Sequence, residues 1–189
     1  MNTQSHAIIN VALLSRKDKP HLHLYALLGG VLPDVPMFIF FGIETLILKH
    51  SQGKIWSEQY FLPQWQNIFD IFNSMPFILI TLGIGYYFRS ERVTVFCWSM
   101  LLHCVADFFL HREDAHRHFF PFSQYTFISP ISYWETDHYG QIASVVEILA
   151  IIVASVFLYP RLQSRLSRGA LVTVNVISML VYTAIVIFS

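Results

Sequence analysis

The sequence predicts an all-α fold, a polytopic membrane bundle of about five transmembrane helices. A short N-terminal amphipathic helix precedes them, and a long loop rich in aromatic residues and histidine interrupts them. Three observations carry that prediction. Hydrophobic residues make up 54 % of the 189-residue chain and charged residues only 13 %, against about 25 % charge in soluble domains. Five apolar runs approach the roughly 20 residues a helix needs to cross about 30 Å of hydrocarbon. Lys+Arg 12 balance Asp+Glu 12, so no net charge favours a phosphate backbone, and the expected partner is the lipid bilayer and not nucleic acid. The whole chain, 1–189, reads as a single integral membrane domain, with 111–140 outside the bilayer.

Each element has its own signal. Ala7 to Leu14 is apolar but too short to span, which predicts an interfacial or half-inserted helix. Met1 to Ser15 has no basic n-region, so no secretory signal is expected. The first run, Leu22 to Leu48, is broken by Pro33-Asp34-Val35-Pro36. Proline removes an internal hydrogen bond, so this run reads as one broken span or as a re-entrant pair. Ile71 to Phe88 follows, then Val93 to Leu110. Cys97 and Cys104 fall on one face of that third run, about 10 Å apart along the axis. This is too far for a disulfide, and they read as small apolar residues. Ile142 to Tyr159 ends at Pro160, and Ala170 to Phe188 is the fifth run. The loop His111 to Gly140 holds eight aromatic residues in thirty. A solvated linker lacks such content, so the loop is expected to fold back as a lid over the helix ends.

Chemistry concentrates around the third run. His103 and Asp107 stand four apart and share a helix face, and His111 follows one turn later, within about 80° of arc. Ionisable groups at mid-membrane depth face the protein interior and mark functional sites. Imidazole with carboxylate suits zinc or another divalent ion. The plainer reading is a neutral histidine tying helices together through Asp107. Asp34 reads either as an N-cap of the segment at Pro36 or as a ligand. His6, alone, reads as surface. Five of the nine histidines fall between 103 and 138. His111, His116 and His118 crowd against Glu113 and Asp114, and His138 follows Glu135 and Asp137. A polar surface cap with Arg112 and Arg117 pairing Glu113 and Asp114 needs no imidazole, whereas metal binding and proton transfer near neutral pH do.

In order, Ser5-His6, Leu32-Pro33-Asp34 and His103-x3-Asp107 resemble the membrane-bound metal-dependent hydrolases of unknown substrate, grouped with zinc-dependent phospholipase C-like proteins. The stretches 114–123, 129–134 and 138–140 are similar to a subgroup of small bacterial membrane proteins of that type. The resemblance spans roughly residues 5 to 150. It implies that His6, Asp34, His103 and Asp107 converge on a metal. It also shows departures: Val35 and Pro36 stand where the family carries a second acid. Asp70-Ile-Phe-Asn73-Ser74 stands where the family carries a His-Ser pair, so Asp70 is a substitute ligand candidate.

The expected function is a metal-dependent, zinc-type hydrolase of a phosphoester of a lipid, with His111, His116 or His138 as general acid or base. The rival is a structural or assembly protein with a closed metal site. A metal or proton transporter would need a continuous polar path, and the last two runs hold few polar residues beyond Glu147 and Asn175. The expected location is a bacterial inner membrane. With five single spans, eight Lys and Arg fall on the side of Arg16 and Arg89 and four on the side of Arg112. The positive-inside rule then places the N-terminus in the cytoplasm. In a variant lacking native thiols, a cysteine at Ser90 should react from the cytoplasmic face and one at Ser123 from the opposite face. Equal cytoplasmic labelling of both contradicts that topology.

Overall fold

Proline and short polar residues set most of the helix boundaries. The structure, a computed structural model, describes residues 1–188, with side chains through Tyr182. Helix α1 (Thr3–Leu14) ends at Ser15, and α2 (His23–Val31) is entered through a 3-10 turn that begins at Pro20. Pro33 sits in the 3-10 turn Leu32–Asp34, and α3 (Val35–Gly42) has Pro36 as its second residue. The N–H that proline lacks is unpaired in a first helical turn anyway. The proline-flanked acid therefore does not fold the run back on itself, and Pro20–Ile47 is one helical stretch. Then come α4 (Gln52–Lys54), α5 (Pro63–Phe72), α6 (Met75–Tyr87), α7 (Glu91–Phe108), α8 (Gly140–Leu158) and α9 (Arg165–Phe188). Ser74 caps α6, its hydroxyl accepting from Phe77 N–H.

No strand occurs among the described residues. Three helical stretches there are long and apolar enough to cross a membrane: Pro20–Ile47, Pro63–Tyr87 and Gly140–Arg161. Another of the expected spans, α7, carries Glu91, Arg92 and Asp107 within 18 residues.

The largest departure from expectation concerns α1. It is packed inside the bundle and not laid on its surface. It packs against α2, α7 and α8, with Ser5, His6, Ile8, Asn10, Val11 and Ala12 all buried. Its polar groups bond inward. Ser5 Oγ donates to Glu147 on α8 at 2.5 Å, and Asn10 Nδ2 donates to the Ser99 carbonyl on α7 at 2.9 Å. Two glycines allow the crowding. A Cβ on Gly29 would lie 2.3 Å from the Phe96 carbonyl oxygen, and one on Gly30 would lie 3.2 Å from the His6 carbonyl oxygen.

The bundle has two chemically different ends. At one, Arg161 Nη1 donates to the Ala12 carbonyl at 2.8 Å and to Ser15 Oγ at 3.0 Å, and Lys19 pairs with Glu91. The connections around residues 15–20, 88–91 and 159–165 therefore share that end. The other end holds the segment after α7. Met75 N–H donates to the His118 carbonyl at 2.8 Å, and Tyr133 N–H to that of Leu110 at 2.9 Å. Phe127 stacks on Phe108 with ring centroids 4.5 Å apart.

Gly29→Ala should therefore destabilise the protein by about 1 to 3 kcal/mol, as overpacking does. Gly42→Ala, where a Cβ would meet nothing within 4 Å, should not. Thermal unfolding in detergent measures the difference.

Candidate metal centre

The helical repeat of α7 brings His103 and Asp107 to one face, and α1 lays His6 beside them. All three are buried, Asp107 to 1 % exposure. The His6 and His103 rings stack with centroids 3.7 Å apart at 19°. His6 Nε2 lies 2.9 Å from Asp107 Oδ1, and His103 Nε2 lies 2.9 Å from Asp107 Oδ2. One atom from each of the three residues falls within 4.8 Å of the other two.

The tautomer of His103 matters here. Its Nδ1 is 2.9 Å from the Gly30 carbonyl oxygen, which can only accept, so Nδ1 carries the hydrogen. In the neutral ring Nε2 then presents a lone pair. That lone pair faces the Asp107 carboxylate and, at 3.4 Å, Asp34 Oδ1. Nε2 makes no hydrogen bond despite its burial. A lone pair against two carboxylates is repulsive, and only a second proton or a cation between them relieves it. Two imidazoles and a carboxylate also form a donor set typical of zinc, and the Gly30 contact is the outer-shell bond that fixes a ligating imidazole. The residues present fit a divalent cation.

Asp34 caps nothing: no side-chain bond reaches the start of α3. Its Oδ2 accepts from Thr3 Oγ1 at 2.6 Å. His111 borders the group, with Nε2 3.2 Å from Asp107 Oδ1 and Nδ1 3.0 Å from Asp114 Oδ2. The Met1 amine lies 2.8 Å from Asp107 Oδ1. Burial works against the charged form of His111, but the nearby Asp107 and Asp114 carboxylates, which accept from the charged ring, raise its pKa to about 9.

The other expected site residues stand apart. Asp70 does not join His6, His103 and Asp107. Helix α5 turns it toward the loop, where Arg117 takes it through its Nε and its backbone N–H. His116 Nδ1 lies 3.7 Å from Asp70 Oδ1, and its ring is 5.9 Å from that of His111. No contact links His138 to the group among the described residues; it is part-exposed and 3.3 Å from Glu135 Oε2. The arginines do not pair with Glu113 and Asp114. Arg117 holds Asp70, Asn67 and Gln124, and Arg112 donates to the Ser129 carbonyl.

Sequence reasoning missed the supporting residues. Thr3 and Gly30 act through a hydroxyl and a carbonyl that carry no motif. Glu147, buried on α8, accepts from Asn2 N–H, Asn2 Nδ2 and Ser5 Oγ. Its place in an apolar run was the available signal. Glu44 is likewise buried, bonded to His50 Nδ1 at 2.7 Å and to Trp65 Nε1 at 3.2 Å. No family model, curated protein or solved structure matches the chain.

His118 supplies a pH test. Burial, with His116 beside it, pushes its pKa down from 6.5 to about 4. Above pH 6.5 it is neutral folded and unfolded alike. As pH falls toward 4 the unfolded chain binds a proton that the folded one refuses, so stability drops by on the order of 1 kcal/mol per pH unit. Unfolding midpoints between pH 7 and 4.5 should fall more steeply in the wild type than in His118→Gln.

Proposed function

We propose that the protein is a metal-dependent membrane hydrolase acting on a phosphoester, with a lipid phosphoester as the natural substrate class. The observation that carries this reading is the convergence of buried His6, His103 and Asp107, one atom of each within 4.8 Å of the other two, with Asp34 Oδ1 3.4 Å from His103. His6, His103 and Asp107 would hold a divalent ion, zinc by donor type, and Asp34 borders them. Catalytic zinc sites use three protein ligands and leave a position open. A cation held there supplies Lewis acidity, favouring hydroxide at neutral pH and offsetting phosphoryl charge.

The chain's own residues would do the rest. Gly30 and Thr3 orient His103 and Asp34. His111, 3.2 Å from Asp107 and 3.0 Å from Asp114, is placed to exchange a proton beside the reacting centre, and His116 lies next to it, its ring 5.9 Å away. The loop 111–140, pinned to the ends of α5, α6 and α7, would limit water and admit substrate as a lid. The resemblance of Ser5-His6, Pro33-Asp34 and His103-x3-Asp107 to membrane-bound metal-dependent hydrolases supports this reading. On this reading the bundle lies in a bacterial inner membrane with the end that carries Arg16, Arg89 and Arg161 toward the cytoplasm; Met1, expected on that side, lies instead at the histidine end, 2.8 Å from Asp107.

A second reading has one observation in its favour. Asp34 Oδ1 is 3.4 Å from His103 Nε2, close enough to supply a fourth ligand and close the site, which would make the metal a structural tie between α1, α2–α3 and α7. Elemental analysis of the purified protein in detergent, paired with hydrolysis of a lipid phosphoester, separates the two. The wild type should carry about one equivalent of a divalent metal. Asp107→Asn should lose it, and His116→Gln should retain it while turnover falls by a factor of about 10² or more. Full metal content without any phosphoester hydrolysis in the wild type establishes the structural reading.

A further inference from the structure

The end of the bundle opposite His103 and Asp107 carries a separate cavity. It measures about 440 Å³ and opens between the α1–α2 connection and the α6–α7 turn. Arg16, Lys19 and Arg89 reach its rim, and Leu22, Gly85 and Val95 line its apolar wall. Asp18 offsets Arg16 at 3.2 Å, and Glu91 offsets Lys19. Arg89 has no carboxylate partner among the described residues, so an uncompensated guanidinium stands at the mouth.

The backbone at Arg89 is unusual. Its φ is 53°, in the left-handed region where glycine is favoured by roughly 1 kcal/mol. Its N–H closes the end of α6 on the Tyr86 carbonyl at 3.1 Å. Glycine normally fills that helix-ending role, and here a long cation fills it, aimed at the cavity.

Farther along the α6–α7 pair lies a separate apolar cavity of about 220 Å³, lined by Ile78, Thr81, Cys97 and Met100 among others. Gly85, Thr81 and Ile78 follow one face of α6 and cover about 10 Å of axis. At Gly85 the two helices touch: a Cβ there would lie 3.0 Å from Val93 Cγ1. A basic rim over an apolar wall has the polarity of one anionic lipid at its headgroup end, phosphate at the rim and the start of the acyl chains against Leu22 and Val95. We propose that this cavity binds an anionic phospholipid of the phosphatidylglycerol class, with Arg89 as its phosphate anchor. The occupant is not the substrate of the metal centre: Thr94 at the cavity and Asp107 are separated by about 20 Å along α7. The site therefore stands or falls independently of any hydrolase activity.

General attraction of a basic membrane face to anionic lipid is the competing account, and it weights every cation alike. The test uses the full chain in detergent, with thermal unfolding and native mass spectrometry. Phosphatidylglycerol should raise the midpoint and leave retained adducts; phosphatidylcholine and inorganic phosphate should do neither. Arg89→Gln should lose most of the shift and most of the adducts. Arg165→Gln, an exposed cation on the same end but outside the cavity, should keep both. Equal effects of the two lipids overturn the proposal, as does a full shift with inorganic phosphate, which would mean a free-anion site. Equal losses in the two variants overturn it too, in favour of diffuse attraction.

Discussion

A carboxylate in an apolar interior is the constraint around which this bundle is arranged. Asp107, near the end of α7, is almost wholly removed from solvent, and an unpaired charge there would cost several kcal/mol. Its compensation is drawn from three separate stretches of chain. His6 comes from α1, His103 from one turn earlier on α7, and His111 from the third residue beyond the helix. Each of those stretches is fixed in place by the need to meet Asp107. The central position of α1 follows directly: Ser5, His6 and Asn10 are bonded to α8 and α7, so a helix too short to cross a bilayer becomes the axis of the bundle.

Close approach makes that convergence possible. Imidazole rings stack at 3.7 Å only if the backbones behind them are near one another. Gly29 and Gly30 remove the side chains that would hold α2 away from α7 and α1. Small residues serve this purpose generally between helices in lipid, where packing and not water exclusion drives association. Gly30 has a second part, because its carbonyl sets the His103 tautomer. One glycine thus links the packing of the helices to the chemistry of the site. The polar histidine end and the basic Arg89 end then lie at opposite ends of the same α6–α7 pair, with separate chemistry at each.

Some of this was legible in the chain. His103 and Asp107 share a face because four residues make nearly one helical turn, whatever surrounds the helix. The helical class follows from apolar runs with few charges, since backbone groups in lipid must pair within their own segment. Asp34 drew notice through its prolines, yet a choice between capping and facing His103 depended on Thr3 and α7. His6 alone read as surface, and only its resemblance-borne context set it with the others. Asp70 and His138 illustrate the opposite failure. Both are the right residue types near the right motif, but Arg117 takes Asp70 and the turn at 136–138 leaves His138 beside Glu135.

Short-range order was thus settled by the sequence: the all-helical class, the i, i+4 pair on α7, the aromatic loop and the asymmetry of basic residues. These depend on backbone geometry and on transfer from water, both local properties of a segment. Which segments meet was settled only in the tertiary structure. The burial of α1, the turning of His103 by Gly30, the loss of Asp70 to Arg117 and the placing of Arg89 over a cavity each join residues far apart in the chain. The physical reason is that a buried charge is indifferent to which part of the chain supplies its partner. The outcome is decided by which helices pack closely enough to deliver one.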